Sequence, residues 1–193
     1  MLTKFITNHF PETHLEGNCE QIPKQIEHLK KICDLFVKDD DLIIEIGFNA
    51  GHSAEVFLKH TFARVVSFDL GDHVYVNKAK EYIDQNYPER HTLILGDSAK
   101  TVPRFLRTLE DKPKLVFIDG NHSYEGALTD LRNDWGKGTI IVMDDIVKEP
   151  TWNTDWTEGP GRAWKETVNE NRASEICHFD YNWGRGMVLG IKN

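Results

Sequence analysis

An acid and a histidine stand three residues apart at the end of an apolar run in the middle of the chain. The run covers residues 115–118, Asp119 and His122 follow it, and Gly120 and Asn121 lie between them. A carboxylate can bind a hard cation, and an imidazole with an unperturbed pKa of about 6.5 can accept a proton at neutral pH. Asp, Gly and Asn are also ordinary turn formers, so a turn without chemistry is the alternative interpretation.

Two further acids, Asp144 and Asp145, end a later apolar run. If the two runs are neighbouring parallel strands, Asp119 and these two acids meet at one edge of the sheet. Unneutralised, three close carboxylates repel one another until at least one is protonated. A divalent cation resolves the conflict, and an all-oxygen ligand set favours Mg²⁺, with Mn²⁺ or Ca²⁺ as alternatives. The other interpretation is that some of these acids cap the following segments or pair with Lys148 or Arg162.

The elements that must position these residues are alternating strands and helices. Five near-continuous apolar runs are followed by helical stretches, which is the pattern of a parallel sheet covered on both faces. Two more strands, "EICHFD" and "GMVLGIK", are joined by too few residues for a crossover helix and predict an antiparallel hairpin. We therefore expect an α/β fold, a Rossmann-like, doubly wound, mostly parallel sheet of seven strands with a C-terminal antiparallel hairpin.

The length of 193 residues suits one domain over residues 1–193, with a core from 42 to 193 and an N-terminal helical cap over 1–41. In the cap we expect one helical stretch, over residues 19–37. After the fifth strand, residues 150–164 ("PTWNTDWTEGPGRAW") predict a loop, and a helix is expected around "GRAWKETVNE".

Composition excludes several classes of protein. Hydrophobic residues make up 39% and charged residues 28%, which is typical of soluble globular proteins. The net charge is −8 with scattered Lys and Arg, which disfavours a nucleic-acid partner. No apolar run approaches the roughly 20 residues of a membrane span, and no signal peptide is recognisable. With three widely spaced cysteines, neither a disulfide framework nor a zinc site is indicated, so we expect a cytoplasmic protein without a membrane partner. Homo-oligomerisation stays open.

A glycine turn, "EIGFNAGHS", follows the first strand and contains Gly47 and Gly51. Glycines there let the backbone approach a ligand at the point where strand order reverses. Asp69 ends the second strand, where an acid can accept hydrogen bonds from ribose hydroxyls, and Asp97 and Ser98 end the third, within reach of an adenine ring. The alternatives are a tight turn, solvated acids and helix N-caps. Because the spacing differs from the G-x-G-x-x-G turn that cradles a pyrophosphate, an adenosine cofactor is favoured over a dinucleotide.

These features resemble the class I S-adenosylmethionine-dependent methyltransferases. Over residues 40–192 the chain is most similar to small metal-dependent O-methyltransferases of the catechol O-methyltransferase type, and to related enzymes that act on sugar hydroxyls. The resemblance implies that Glu45 and Gly47 line the methionine end of S-adenosylmethionine and that Ser53 binds its carboxylate. The full set of cofactor-binding positions that it implies is Glu45, Gly47, Phe48, Asn49, Gly51, Ser53, Asp69, Asp97, Ser98 and Asp119.

The resemblance also gives the acids a role. In the catechol-type enzymes, an acid after strand four and an acid–amide or similar pair after strand five hold the metal, which chelates two adjacent hydroxyls of the acceptor. This implies Asp119, Asp144 and Asp145 as ligands. A lysine three residues after the strand-four acid takes the proton in those enzymes, and His122 occupies that position here. His122 is therefore the candidate catalytic base, in a departure from the catechol pattern.

The expected function is metal-assisted transfer of a methyl group from S-adenosylmethionine to a hydroxyl of a sugar or another small molecule. Trp152 and Trp156 could face the acceptor, Trp164 is expected to anchor its helix, and Trp183 and Arg185 could close the mouth of the site. An NAD-dependent oxidoreductase would need a pyrophosphate-type turn and a Tyr-x-x-x-Lys-like pair, and neither is present. A non-catalytic partner protein that binds an adenosine cofactor is the other alternative, and it predicts cofactor affinity without metal dependence.

Overall fold

Seven strands form one sheet at the centre of the computed structural model, which describes residues 1–193. β1 to β5 are parallel to one another, whereas β7 pairs antiparallel with both β5 and β6, and the order across the sheet is β3-β2-β1-β4-β5-β7-β6. The predicted mostly parallel sheet with a C-terminal antiparallel hairpin is confirmed. In chain order the strands are β1 Leu42–Ile46, β2 Arg64–Asp69, β3 His91–Leu95, β4 Leu115–Ile118, β5 Ile140–Asp144, β6 Ala173–Asn182 and β7 Arg185–Lys192.

Helices cover both faces of the sheet, as a doubly wound fold requires. One hydrophobic core joins the sheet to α1–α4, and a second core on the other face joins it to α5–α7. Because β1, β4 and β5 are covered on both sides, every residue in these strands is buried. No helix combines the length and apolar character needed to cross a membrane. The helices are α1 Leu2–His9, α2 Pro23–Phe36, α3 His52–His60, α4 Val76–Asn86, α5 Ser98–Leu106, α6 Tyr124–Leu131 and α7 Asp155–Asn169.

The N-terminal segment contains more structure than the sequence analysis predicted. The expected helix over residues 19–37 is divided into a short 3₁₀ turn, Cys19–Gln21, and α2, which begins at Pro23 because a proline has no N–H to lose at the first helical position. A further helix, α1, was not predicted. It forms because Leu2 and Ile6 lie four residues apart and both bury completely against the core.

Part of the tryptophan-rich segment after β5 is helical, because the helix expected around residues 161–170 begins about six residues earlier, at Asp155. α7 begins at Asp155 because Thr154 and Thr157 form a capping box that satisfies the first free N–H groups. Pro160 lies inside the helix and did not end it. Trp164 is buried, and its indole N–H donates to Glu175 at 2.9 Å, so it anchors α7 as expected.

Candidate active site

A cavity of about 670 Å³ opens at the carboxyl ends of the parallel strands, beside the point between β1 and β4 where strand order reverses. Its volume lies within the usual range for small-molecule sites, and its position is the one at which open α/β sheets bind ligands. The N-terminal segment reaches its mouth at His14, Glu16 and Gly17. Sequence analysis missed these three residues, which follow no periodic pattern.

The predicted cofactor positions fall into two groups. One group lines the cavity: Gly47, Asn49, Asp69, Asp97, Ser98 and Asp119. The other is buried behind the glycine turn and is absent from the cavity wall: Glu45, Phe48, Gly51 and Ser53. The first group is open to a ligand in the cavity, whereas the second group is buried within or behind the glycine turn. Direct contact with a cofactor stays a prediction for both groups.

Gly47 lets the glycine turn press directly against the end of β4. Its φ is 97°, in the region that favours glycine, and a Cβ atom would lie only 1.8 Å from the carbonyl oxygen of Asp119. The glycine turn and the backbone of Asp119, after β4, are therefore in contact. A side chain at position 47 would push the two apart.

Asp69 is held at the cavity wall by backbone donors. Its Oδ2 accepts the N–H of Asn49 at 2.8 Å, and its Oδ1 accepts the N–H of Gly71 at 2.7 Å. Each carboxylate oxygen can accept more than one hydrogen bond, so acceptor capacity remains for a ligand hydroxyl. Asp97 also lines the cavity while capping α5 through the N–H of Ala99, so the N-cap that the sequence allowed coexists with a cavity position.

Glu45 is the centre of a buried polar network behind the turn. It is fully buried, and its two carboxylate oxygens accept hydrogen bonds from Ser53 and Ser67, each at 2.5 Å. Burial raises the pKa of Glu45 to about 8, against the opposing effect of the two serine hydrogen bonds. The Ser53 hydroxyl is thus directed to Glu45, and the network fixes the start of α3 to β1 and β2.

The strand-end residues Asp119, His122 and Asp145 converge on the other side of the cavity. The imidazole Nε2 of His122 lies 3.0 Å from Oδ2 of Asp145 and 3.8 Å from Oδ1 of Asp119. One ligand atom from each of the three residues lies within 4.8 Å of the other two, so the group could hold a metal ion. Asp145 adopts a left-handed backbone conformation, with φ of 56°, and its Oδ1 is buried without a hydrogen-bond partner.

The pKa values of His122 and Asp119 depend on the charges around them in this cluster. The carboxylates of Asp119 and Asp145 raise the pKa of His122 to about 10, against the opposing effect of its burial. Burial, together with the charge of Asp145, raises the pKa of Asp119 to about 6, and contact with His122 offsets part of that rise. The two carboxylates therefore favour the protonated imidazole, whose positive charge balances part of theirs.

Asp144, the third predicted metal ligand, is directed away from this cluster. Its Oδ2 accepts a hydrogen bond of 2.6 Å from the side-chain amide of Gln25 in α2, and the residue is absent from the cavity wall. Burial is the largest of the causes that raise the pKa of Asp144 well above its usual range, and the charges of Asp119 and Asp145 raise it further. The structure thus groups His122, rather than Asp144, with the two other acids. Nothing in the sequence pattern pointed to Gln25 as its partner.

Aromatic and cationic side chains complete the mouth of the cavity. Trp156 and Arg185 line it, as the sequence analysis had allowed for both, whereas Trp152 is absent from its wall. The rings of Trp156 and Trp183 meet edge to face, with centroids 5.3 Å apart. Trp183 is 59% exposed and absent from the cavity wall, so its ring is related to the mouth through the contact with Trp156.

The sequence of the chain matches a known family of methyltransferase domains. The profile of a methyltransferase domain family matches residues 44–146, which is just over half of the 193 residues. This stretch runs from β1 through the glycine turn to the acids after β5. No curated protein sequence matches the chain at a significant level.

Solved structures with this fold include several O-methyltransferases. An O-methyltransferase from Bacillus cereus in complex with SAH has a TM-score of 0.74 at 17% identity, over 100% of this chain and 90% of that chain. TomG from Streptomyces achromogenes, an O-methyltransferase of tomaymycin synthesis in complex with SAM, has a TM-score of 0.74 at 17% identity, over 100% and 89%. CalS11, a TDP-rhamnose 3'-O-methyltransferase of calicheamicin biosynthesis, has a TM-score of 0.67 at 20% identity, over 97% and 90%.

The fold and the site together define a class I methyltransferase, which confirms the class expected from the sequence. The chain belongs to the methyltransferase domain family whose profile it matches.

Proposed function

We propose that the chain transfers the methyl group of S-adenosylmethionine to a hydroxyl of a small molecule, with sugars among the acceptors, assisted by a divalent cation. The observation that carries this proposal is the meeting of two sites in one cavity. Gly47, Asn49 and Asp69 line one part, and Asp119, His122 and Asp145 line the adjoining part. A methyl donor and an acceptor hydroxyl need such adjoining sites, because transfer requires the attacking oxygen close to the methyl carbon.

The donor end is supported by the chemistry of the cavity wall. Asp69 offers carboxylate acceptors for ribose hydroxyls, and Asp97 and Ser98 lie at the tip of β3, where an adenine edge would arrive. The turn at Gly47 lacks the glycine spacing that binds a pyrophosphate, which favours a cofactor without phosphates over NAD. S-adenosylmethionine bound there would supply a methyl group on a sulfonium, and the neutral thioether that leaves needs no protonation.

The residues at the acceptor end fit a hard divalent cation such as Mg²⁺. The buried Oδ1 of Asp145 has no partner, although a buried carboxylate oxygen normally has one, and a cation would satisfy it. Asp119 belongs to the same group of possible ligands, whereas one oxygen of Asp144 accepts the hydrogen bond from Gln25. A cation bound there would polarise the acceptor hydroxyl and offset the negative charge that otherwise holds a proton on His122.

His122 is the group placed to accept the proton that the acceptor hydroxyl loses. Its side chain is 41% exposed, so an acceptor in the cavity can reach it, while Asp145 fixes the position of its Nε2. In the balanced reaction the hydroxyl oxygen bonds to the methyl carbon, the carbon–sulfur bond breaks, and the proton passes to the imidazole.

The proposal is tested by methyl transfer from labelled S-adenosylmethionine to catechols and simple sugars, with Mg²⁺ or with EDTA. We expect transfer that depends on Mg²⁺ and that Asp145→Ala abolishes. Asp134→Asn is the matched control, because Asp134 is an exposed acid paired with Lys112 outside the cavity, and it should retain full activity. Cofactor binding without transfer to any acceptor would favour the non-catalytic adenosine-binding partner instead. Full transfer in EDTA would remove the cation from the proposal and leave the methyltransferase.

A further inference from the structure

Arg185 lines the cavity and directly follows a turn that two hydrogen bonds hold in place. It is the first residue of β7, directly after the hairpin turn at Gly184. The N–H of Gly184 donates to the carbonyl of Trp152 at 2.7 Å, and the indole N–H of Trp156 donates to the carbonyl of Gly184 at 3.0 Å. Both the N–H and the C=O of Gly184 are therefore tied to the segment that follows β5, and the position of the Arg185 backbone is fixed.

The guanidinium of Arg185 has almost no partner within the protein. Its side-chain hydrogen bonding is limited to a contact of 3.4 Å with Oε1 of Gln21, at the outer limit for such a bond. No carboxylate lies within ion-pair distance, although a guanidinium presents five N–H donors. It packs so closely on Gly17 that a Cβ atom there would lie 1.7 Å from one of its nitrogens. Arg185 is thus held in place while most of its donors remain free.

The acids of the same cavity do not use this positive charge directly. Asp119 and Asp145 have His122 as their cationic neighbour, at 3.8 and 3.0 Å. Arg185 acts on Asp119 only at longer range, as one of the charges that lower the pKa of that carboxyl. The other acids of the cavity wall, Glu16, Asp69, Asp72 and Asp97, form no ion pair with it either, so Arg185 is a separate cationic point and the one arginine or lysine in the lining.

We propose that Arg185 binds an oxyanion group, a carboxylate or a phosphate, carried by the acceptor, so that the preferred acceptors are hydroxyl compounds with an acidic substituent. A guanidinium binds either group through two parallel hydrogen bonds, which fixes orientation as well as affinity. The acid cluster repels the anionic end and thereby directs the hydroxyl end of the acceptor toward Asp145 and His122. Trp156 lines the same cavity and offers an aromatic face to the body of the acceptor. This inference rests on the proposed function, because it names the acceptor class of the same site.

Binding to the chain loaded with S-adenosylhomocysteine and Mg²⁺, measured by calorimetry, tests the inference. The carboxylate arm compares 3,4-dihydroxybenzoate with neutral 3,4-dihydroxybenzyl alcohol, and the phosphate arm compares glucose 6-phosphate with glucose. In at least one arm we expect the anion to bind at least about ten-fold more tightly, as a charge-assisted pair of hydrogen bonds provides. The arm that shows the preference identifies the acidic group.

Arg185→Gln should reduce that ratio to within about two-fold while leaving the neutral compound's affinity unchanged, and Arg185→Lys should keep part of it. Arg162→Gln is the matched control, because Arg162 stacks on Tyr124 outside the cavity, and it should keep the full ratio. Loss of the Gln21 contact alone, in Gln21→Ala, should also leave the ratio intact.

Equal affinity for anion and neutral analogue in both arms, absence of binding in both, or an unchanged ratio in Arg185→Gln would overturn the inference. Methyl transfer is followed separately, so the two proposals can fail independently. Transfer to neutral acceptors without any anion preference removes the role of Arg185 and leaves the methyltransferase. Anion binding that depends on Arg185, without transfer to any acceptor, removes the catalytic function and leaves the anion site.

Discussion

The imidazole Nε2 of His122 lies 3.0 Å from Oδ2 of Asp145, so the candidate base and a candidate metal ligand form one ion pair. The pair joins the loop after β4 to the end of β5. Because Asp145 is buried and His122 is partly exposed, the carboxylate fixes the ring from below while the ring stays open to an acceptor. In the proposed mechanism, proton transfer and cation binding would therefore be coupled through this single contact.

Replacement of His122 by Asn should lower kcat by about 10² to 10⁴, because general-base catalysis typically contributes this much. The affinity for S-adenosylhomocysteine, which calorimetry measures, should not change, since His122 lies away from the glycine turn and Asp69. A variant that keeps full turnover from about pH 6 to pH 9 would exclude His122 as the base.

Mg²⁺ should raise the thermal unfolding midpoint of the chain without cofactor. A cation at one hundred times its dissociation constant stabilises the folded state by about 2.7 kcal/mol, which corresponds to roughly 5–10 °C for a chain of this size. Asp145→Asn should remove this stabilisation, and Asp134→Asn on the surface should retain it. An equal Mg²⁺ effect in both variants would show that the cation acts elsewhere on the acidic chain.

Gly47→Ala should lower the free energy of unfolding by about 2–4 kcal/mol and abolish cofactor binding. The added Cβ would meet the carbonyl of Asp119 at 1.8 Å, and φ at this position disfavours any side chain. Gly161→Ala is the control, because it lies in α7 with open space around it, and it should stabilise the chain by up to about 1 kcal/mol. Chemical denaturation of both variants measures the contrast, and a mild effect at Gly47 would contradict the tight contact between β1 and β4.

Glu45→Leu should destabilise the chain by about 3 kcal/mol or more, because the buried hydroxyls of Ser53 and Ser67 would each lose an acceptor. Glu45→Gln keeps the shape and a carbonyl acceptor, so it should cost far less. The affinity for S-adenosylhomocysteine should follow the same order, since the network holds the glycine turn from behind. Equal losses of affinity in both variants would instead indicate that the carboxylate itself contacts the cofactor.

Much of the fold was predictable because apolar runs and turn residues specify it locally. Buried strands such as β1 and β4 read as continuous apolar segments, and parallel order then placed Asp119 and Asp145 at one edge. The sequence could not show which of Asp144 and Asp145 faces the cavity. That choice depends on the left-handed backbone at Asp145 and on the hydrogen bond that Gln25 donates to Asp144, 119 residues later in the chain.

Interactions that no local sequence pattern shows also explain the other differences between prediction and structure. Contacts of the N-terminal segment with the cavity, at Glu16 and Gly17, join parts of the chain that share no pattern. The start of α7 was missed because Gly159 and Pro160 resemble a loop, whereas the capping box at Thr154 decides the outcome.

Asp130 in α6 should make the stability of the chain fall with rising pH. It is fully buried beneath Gly120, neither of its carboxylate oxygens has a hydrogen bond of regular geometry, and burial raises its pKa from 3.8 to about 6 against the opposing effect of the nearby Ser98 hydroxyl. A raised pKa means that the folded state favours the neutral acid. The associated stability is therefore present below about pH 4, declines as the pH rises to about 6, and is absent above that value. The shift corresponds to roughly 3 kcal/mol.

Asp130→Asn should therefore be more stable than the unmodified chain at pH 8 and should lose this advantage as the pH falls toward 4. Urea denaturation at several pH values measures the difference between the two proteins, which cancels the contributions of Glu45 and the other acids that both retain. Glu125→Gln, at an exposed acid of the same helix, should give no such pH-dependent difference. A constant offset between Asp130→Asn and the unmodified chain would mean that the buried carboxyl keeps its ordinary pKa, through a donor such as the Ser98 hydroxyl.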